Sequence, residues 1–201
     1  MSLDKFSSGA WRKSLYSGIF SMFETEEMAA CIDVAHIENT PERYLKALDE
    51  YFSGILEDPR ALLKKALFPA PQHTQMIHVG GQQFYSMCAH HLAPFFGRMH
   101  FAYIPNDKII GLSKIPRLME IYARRPQVQE KLTDDIVDAF YDIVEPAGCA
   151  LLVRATHFCM ESRGVKAHGT ETTTTALRGC FTMQTTKDEF LSSANRLEWR
   201  S

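Results

Sequence analysis

An α+β fold built on antiparallel strands is predicted from three observations. Between Gln75 and Leu112, short apolar runs are broken by Gly80-Gly81 and by Pro105-Asn106-Asp107, the pattern of strands joined by tight turns. Stretches beginning at Thr40 and at Pro126 repeat apolar residues at helical spacing. From Cys149 onward, an alternating run and a block of threonines return the chain to strand chemistry.

Taken in order, residues 1–39 carry scattered aromatics and an acidic patch at Glu24, Glu26 and Glu27, and read as a helical extension. The main domain, 40–201, opens with Thr40 as N-cap and Pro41 at the first helical position. Leu45, Leu48, Phe52 and Ile55 form one stripe of that helix, and Gly54 lies near its end. Gln75 to Ala89 predicts a hairpin turning at Gly80-Gly81, and Met99–Ile104 with Lys108–Leu112 predicts a second. Ser113 is placed to cap a helix that has Pro116 in its first turn and ends near Arg124-Arg125. Pro126 then opens a helix with Val128, Leu132, Ile136, Phe140 and Ile143 on its apolar stripe, stopped by Pro146-Ala147-Gly148. Cys149 to Cys159 reads as a strand with Leu151, Val153, Ala155, His157 and Cys159 on one face. Thr172 to Thr175 leads into a last strand ending near Phe181.

The 201 residues, 45% hydrophobic, suffice for one well-buried domain with an appended N-terminal segment. Five cysteines, an odd number, and no leader resembling a signal peptide point to a reduced cytoplasmic setting. No apolar run is long enough to span a bilayer, so no membrane partner is expected. A net charge of −2 argues against general nucleic-acid binding and leaves room for a local anion site.

The stretch Ser86 to Gly97 holds Cys88, His90 and His91 within four positions, and Thr156 to Gly164 adds His157 and Cys159. A lone cysteine near a histidine is usually coincidence, and a buried cysteine is usually a small hydrophobe. A second thiolate beside a further histidine shifts the balance toward a metal. Two thiolates and one imidazole leave the fourth position of zinc open for water, the catalytic arrangement. In an extended strand Cys88 and His91 face opposite sides, so a shared metal requires a turn, for which Pro94 and Gly97 are available. The remaining imidazoles suit proton transfer. Lys114 and Arg117 near a helix start, and Arg163 four residues beyond Cys159, are candidate anion clamps. The glutamate and paired-cysteine pattern of zinc deaminases is missing.

The strings CAHHLAPFFG, AYIPNDKIIGLSKIPRL, RRPQVQEKLT, THFCMESRGV and TTTTALRG, in this order and spacing, resemble the GTP cyclohydrolase type I family over roughly Thr40 to Leu191. The resemblance implies a tunnelling fold (T-fold), an antiparallel sheet with helices on one face, whose subunits pool strands into barrels and stack as a homodecamer with active sites between subunits. It implies conversion of GTP and water to 7,8-dihydroneopterin triphosphate and formate, the entry step to folate and other pterins or to 7-deazaguanines.

By motif match Cys88, His91 and Cys159 are the zinc ligands, and His90 and His157 the catalytic histidines. His157 is assigned the proton for the guanine ring nitrogen and His90 the hydrolysis or ribose opening, an order the sequence does not separate from its reverse. Ser113, Lys114, Arg117 and Arg163 correspond to triphosphate contacts, Gln129 with Glu130 to the guanine-reading pair, and Ser113 also to assistance in the sugar rearrangement. The family usually has glutamate where this chain has Ala89. That departure keeps open an alternative, a non-catalytic or altered-specificity member that binds guanine nucleotides or pterins.

Overall fold

A computed structural model describes residues 9–72 and 75–198, so the first eight residues of the expected extension lie outside the described part. The described chain divides into two units, one up to Leu56 and one from Glu57. In the first, helices α1 (Ala10–Phe23), α2 (Glu26–Ala29), α3 (Val34–Ile37) and α4 (Thr40–Tyr51) follow one another. α4, which the sequence reading places at the head of the main domain, lies within this unit. Arg12 on α1 ties it down with a two-pronged contact to Asp49 at 2.6 and 3.1 Å. Asn39 occupies the N-cap and Thr40 is already helical. The stripe is cut short at Tyr51, with Phe52 just past the helix end and Ile55 in the 3₁₀ turn Ser53–Leu56.

The second unit begins with α5 (Pro59–Lys64), capped by Asp58, whose Oδ1 accepts from the backbone N–H of Arg60 and Ala61. A five-stranded sheet follows, in the order β5 (Pro126–Gln127), β2 (Ile77–Cys88), β3 (Pro94–Ile104), β6 (Gly148–His157), β7 (Thr172–Gly179). All its pairings are antiparallel except β5 with β2. β1 (Leu67–Pro69) and β4 (Lys108–Ile110) form a separate small ladder.

Neither expected hairpin forms. Both halves of the first pair with β3, so β2 runs straight through Gly80-Gly81 as a bulge between Val79 and Gln82. Gly81, at φ +74°, supplies the left-handed residue that the bulge needs. In the second, β2 and β6 occupy both edges of β3, and Lys108–Ile110 turns away to β1. Pro126 opens no helix either. It pairs with Met87 as an edge strand, where its missing N–H costs nothing, and α7 (Gln129–Val144) starts after Val128.

α6 (Lys114–Ala123) and α7 pack on one face of the sheet. Leu132, Ile136, Phe140 and Val144 meet Phe101, Tyr103, Leu151 and Val153, with the Phe140 ring 4.6 Å from that of Phe101. The other face is not bare. After the 3₁₀ turn Cys180–Thr182, helix α9 (Gln184–Glu198) lays Phe190 and Ala194 over Ala102, Ala150 and Leu152. Helices therefore cover parts of both faces, because β3 and β6 present small apolar residues on the side away from α7.

Candidate active site

The site forms where β2, β6 and the start of α7 end together. Cys88 is the last residue of β2, and the chain then makes one tight turn. The Leu92 N–H donates to the Cys88 carbonyl at 2.8 Å, the Cys88 N–H to the Ala93 carbonyl at 2.9 Å, and Leu92 takes φ +47°. The coil brings Cys88 and His91 to one side, the arrangement that a shared metal would require. The residues that make it are 89–92. Pro94 and Gly97 lie in β3, where Gly97 has another duty, since a Cβ there would sit 1.9 Å from the Arg154 carbonyl oxygen of β6.

His157 ends β6 and Cys159 lies two residues further, in the short helix α8 (Phe158–Glu161). The expected strand is thus shorter, and His157 and Cys159 are brought near each other by a helical turn in place of a shared strand face. The ligand atoms of Cys88, His91 and Cys159 all lie within 4.8 Å of one another. Cys88 Sγ stands 3.7 Å from His91 Nδ1. Zinc bonds of ~2.3 Å to sulfur and ~2.05 Å to nitrogen, at a tetrahedral angle, require about 3.6 Å between those atoms. The donor set and its spacing therefore fit zinc. His90 Nδ1 is 3.9 Å from the same sulfur but falls outside the three-residue cluster. Burial and then the neighbouring Cys88 push the Cys159 thiol up, with Arg163 opposing, which is the setting in which a divalent cation gains most from two thiolates.

His157 is half-buried, its ring stacked flat on Phe95 at 4.7 Å and 1°. Burial lowers its pKa, and the Glu130 carboxylate works against that shift. Its Nε2 lies 2.7 Å from Gln129 Oε1. Glu130 is exposed, whereas Gln129 is 2% exposed and turns its amide inward. Phe95 was not singled out from sequence. The cross-strand pair Phe95 and His157 is its only signal, and that needs the β3–β6 register.

Arg163 lies close enough to act on Cys159. Ser113, Lys114 and Arg117 stand elsewhere. Ser113 takes the N-cap position of α6 with helical dihedrals, and its side chain caps nothing. The far end of α6 is the end near the cysteines, because Gln127, the β-partner of Cys88, donates to the carbonyls of Tyr122 and Ala123. Ten helical residues set Ser113 and Lys114 about 15 Å from that junction. Within one chain, the Cys88–His91–Cys159 cluster and the first group of residues expected to bind the anion are separate.

The sequence profile described as GTP cyclohydrolase I matches residues 24–195. The chain belongs to the GTP cyclohydrolase I family. It is 48% identical over 157 residues to GTP cyclohydrolase 1 of Campylobacter curvus (strain 525.92), covering 78% of this chain and 82% of the relative. It is 50% identical over 153 residues to GTP cyclohydrolase 1 of Chlorobaculum tepidum, covering 76% and 68%. Among solved structures, the archaeosine synthase QueF-Like in its apo form aligns with 55% of this chain and 96% of its own, at 17% identity and a TM-score of 0.43. GTP cyclohydrolase activity follows from the family membership, and GTP is the substrate it implies. Among the described residues no helix is long and apolar enough to cross a membrane.

Proposed function

We propose that this GTP cyclohydrolase converts GTP and water to 7,8-dihydroneopterin triphosphate and formate, the entry step to folate and other pterins or to 7-deazaguanines. The observation that carries this reading is the convergence of Cys88, His91 and Cys159 beside His157. Those three side chains would hold zinc, which when bound supplies Lewis-acid activation of water near neutral pH.

The chain's own residues do the rest. Lys114, Arg117 and Arg163, with the Ser113 hydroxyl and the N-terminal amides of α6, hold the triphosphate. Glu130 accepts from the N–H donors on the guanine edge. His157, held flat on Phe95, delivers a proton to the ring nitrogen as charge develops there, and His90 exchanges protons during hydrolysis or ribose opening. Ser113 assists the later sugar rearrangement.

The active subunit arrangement is a T-fold homodecamer with the site shared between neighbours. Support comes from the length of α6, which keeps Ser113 and Lys114 away from their own chain's cysteines. It comes also from β7, an edge strand of the sheet whose outer side suits pairing with another copy. The test is formate released from GTP by purified, zinc-analysed protein, with native mass spectrometry on the same sample. Formate in step with GTP consumption by a ring oligomer is expected. Zinc-loaded protein that releases no formate refutes the reaction, and a fully active monomer refutes the shared site.

A further inference from the structure

The Gln129 side chain has its hydrogen-bonding capacity committed inside the protein. Its Nε2 faces three acceptors, the carbonyls of Thr172 at 3.0 Å and Val153 at 3.3 Å and the Thr174 hydroxyl at 3.1 Å. Turning the amide over would aim its oxygen at two carbonyl oxygens, which donate nothing, so the orientation is fixed. The hydroxyls around it close the account. Thr133 Oγ1 donates to the Gln129 carbonyl at 2.8 Å, and so receives the proton of Thr174 Oγ1 at 2.6 Å, leaving Thr174 free to accept from Gln129.

Oε1 is what remains, and it lies 2.7 Å from His157 Nε2. An amide oxygen only accepts, so the imidazole nitrogen must carry the hydrogen. Phe95 fixes the plane of the same ring from its side. We propose that Gln129 is a positioning residue that holds His157 as the Nε2–H tautomer, which leaves Nδ1 as the ring atom that exchanges protons with the substrate. Of the guanine-reading pair expected from the motif, Gln129 then has its side-chain donors committed inside the protein, and Glu130 is the side chain left exposed. The tautomer stands on these contacts, and its catalytic consequence rests on the proposed role of His157.

The experiment separates the two. Solid-state NMR of zinc-loaded protein labelled with ¹⁵N-histidine, with His157→Asn to assign the signal, reads the tautomer without any turnover. It should show hydrogen on Nε2 in the parent and a mixed or reversed population in Gln129→Met, which keeps the length and removes the acceptor. Kinetically, Gln129→Met should lower kcat about 10–100-fold, the range for partners that orient a working ligand or base, while the KM for GTP shifts by less than about threefold. Thr174→Val removes only one of the amide's anchors, so it keeps the fold accessible if Gln129→Met proves unstable, and it should move both readouts the same way by a smaller factor. Hydrogen on Nδ1 in the parent overturns the proposal. So does a Gln129→Met or Thr174→Val protein with an unchanged His157 signal, or a Gln129→Met protein whose loss lies in KM, the mark of a guanine contact. A parent enzyme with the Nε2–H signal but no formate release would instead remove the catalytic reading of His157 and leave the tautomer standing.

Discussion

Acidification should loosen α9 from the sheet before the rest of the second unit yields. Beneath that helix, His78 bonds Ser193 Oγ through Nδ1 at 2.8 Å, packs edge-on against Phe190, and sits 5.6 Å ring to ring from the fully buried His100. Burial first, and His100 second, pull the His78 pKa from 6.5 down to about 4. The unfolded chain therefore takes up this proton more readily than the folded one. The stabilisation is complete above pH 6.5, and it drains away as the pH falls from there to about 4. A drop of that size corresponds to at most about 3–4 kcal/mol, and solvent screening at a partly buried ring reduces it to about 1–2 kcal/mol. Hydrogen exchange of the α9 amides, corrected for intrinsic rates, should show protection between pH 7.5 and 5 falling by about tenfold, the equivalent of ~1.4 kcal/mol, more steeply than that of α7. His78→Phe keeps the packing on Phe190 and removes the titrating ring, so its α9 protection should be nearly flat over the same range. An equally steep loss in His78→Phe would refute the assignment to this residue.

Cys88→Ser or Cys159→Ser should lose zinc and turnover together, by more than the ~10–100-fold typical of residues that only orient ligands; elemental analysis showing full zinc in either variant removes that residue from the ligand set. His90→Ala and His157→Ala should retain zinc and lose about 10²–10⁴-fold in formate release, and undiminished release from both would end the proton-transfer assignment. Lys114→Ala should raise the KM for GTP by about 10–100-fold, the cost of a charge-assisted contact of ~1.5–3 kcal/mol, and guanosine should bind much more weakly than GTP to the parent. Ala89→Glu should shift the pH–rate profile and raise GTP turnover near neutrality with zinc content unchanged; lower GTP turnover, with GTP and dGTP assayed side by side, would favour a site reshaped around the alanine.

The gathering of Cys88, His91 and Cys159 was more legible in the sequence than the strand pairing was. Cys88, His91 and Cys159 stand out because few residue types bind zinc, and a cluster of them survives any error in local structure. The apolar stripe of α7 was legible for a similar reason, since Leu132, Ile136 and Phe140 repeat regardless of what they face. Pairing is a long-range property. Glycine at positive φ serves a bulge as well as a turn, so Gly80-Gly81 could not reveal that β2 continues. The inward amide of Gln129 was hidden for the same reason, because its acceptors come from β6, β7 and the entry to β7, 24 to 45 residues away. Motif position gave Gln129 a neighbour in sequence, Glu130, whereas its physical partner is 28 residues on.

The bulge in β2 also settles which way Cys88 points. Side chains on a regular strand alternate, so Val79 and Phe84, an odd number of residues apart, would lie on opposite faces. Here both pack against the core under α7, and Cys88, in step with Phe84, joins them. The extra residue resets the count. It lets a strand that begins on that core end with its thiol on the same side, at the mouth of α7. Deleting Gly81 would restore plain alternation and force a choice between keeping Val79 inside and keeping Cys88 at the metal cluster. A single glycine seven residues from Cys88 thus sets the phase in which β2 delivers that thiol and the turn after it to Cys159, and its loss should leave the protein unable to bind zinc with all three candidate ligands still in the chain.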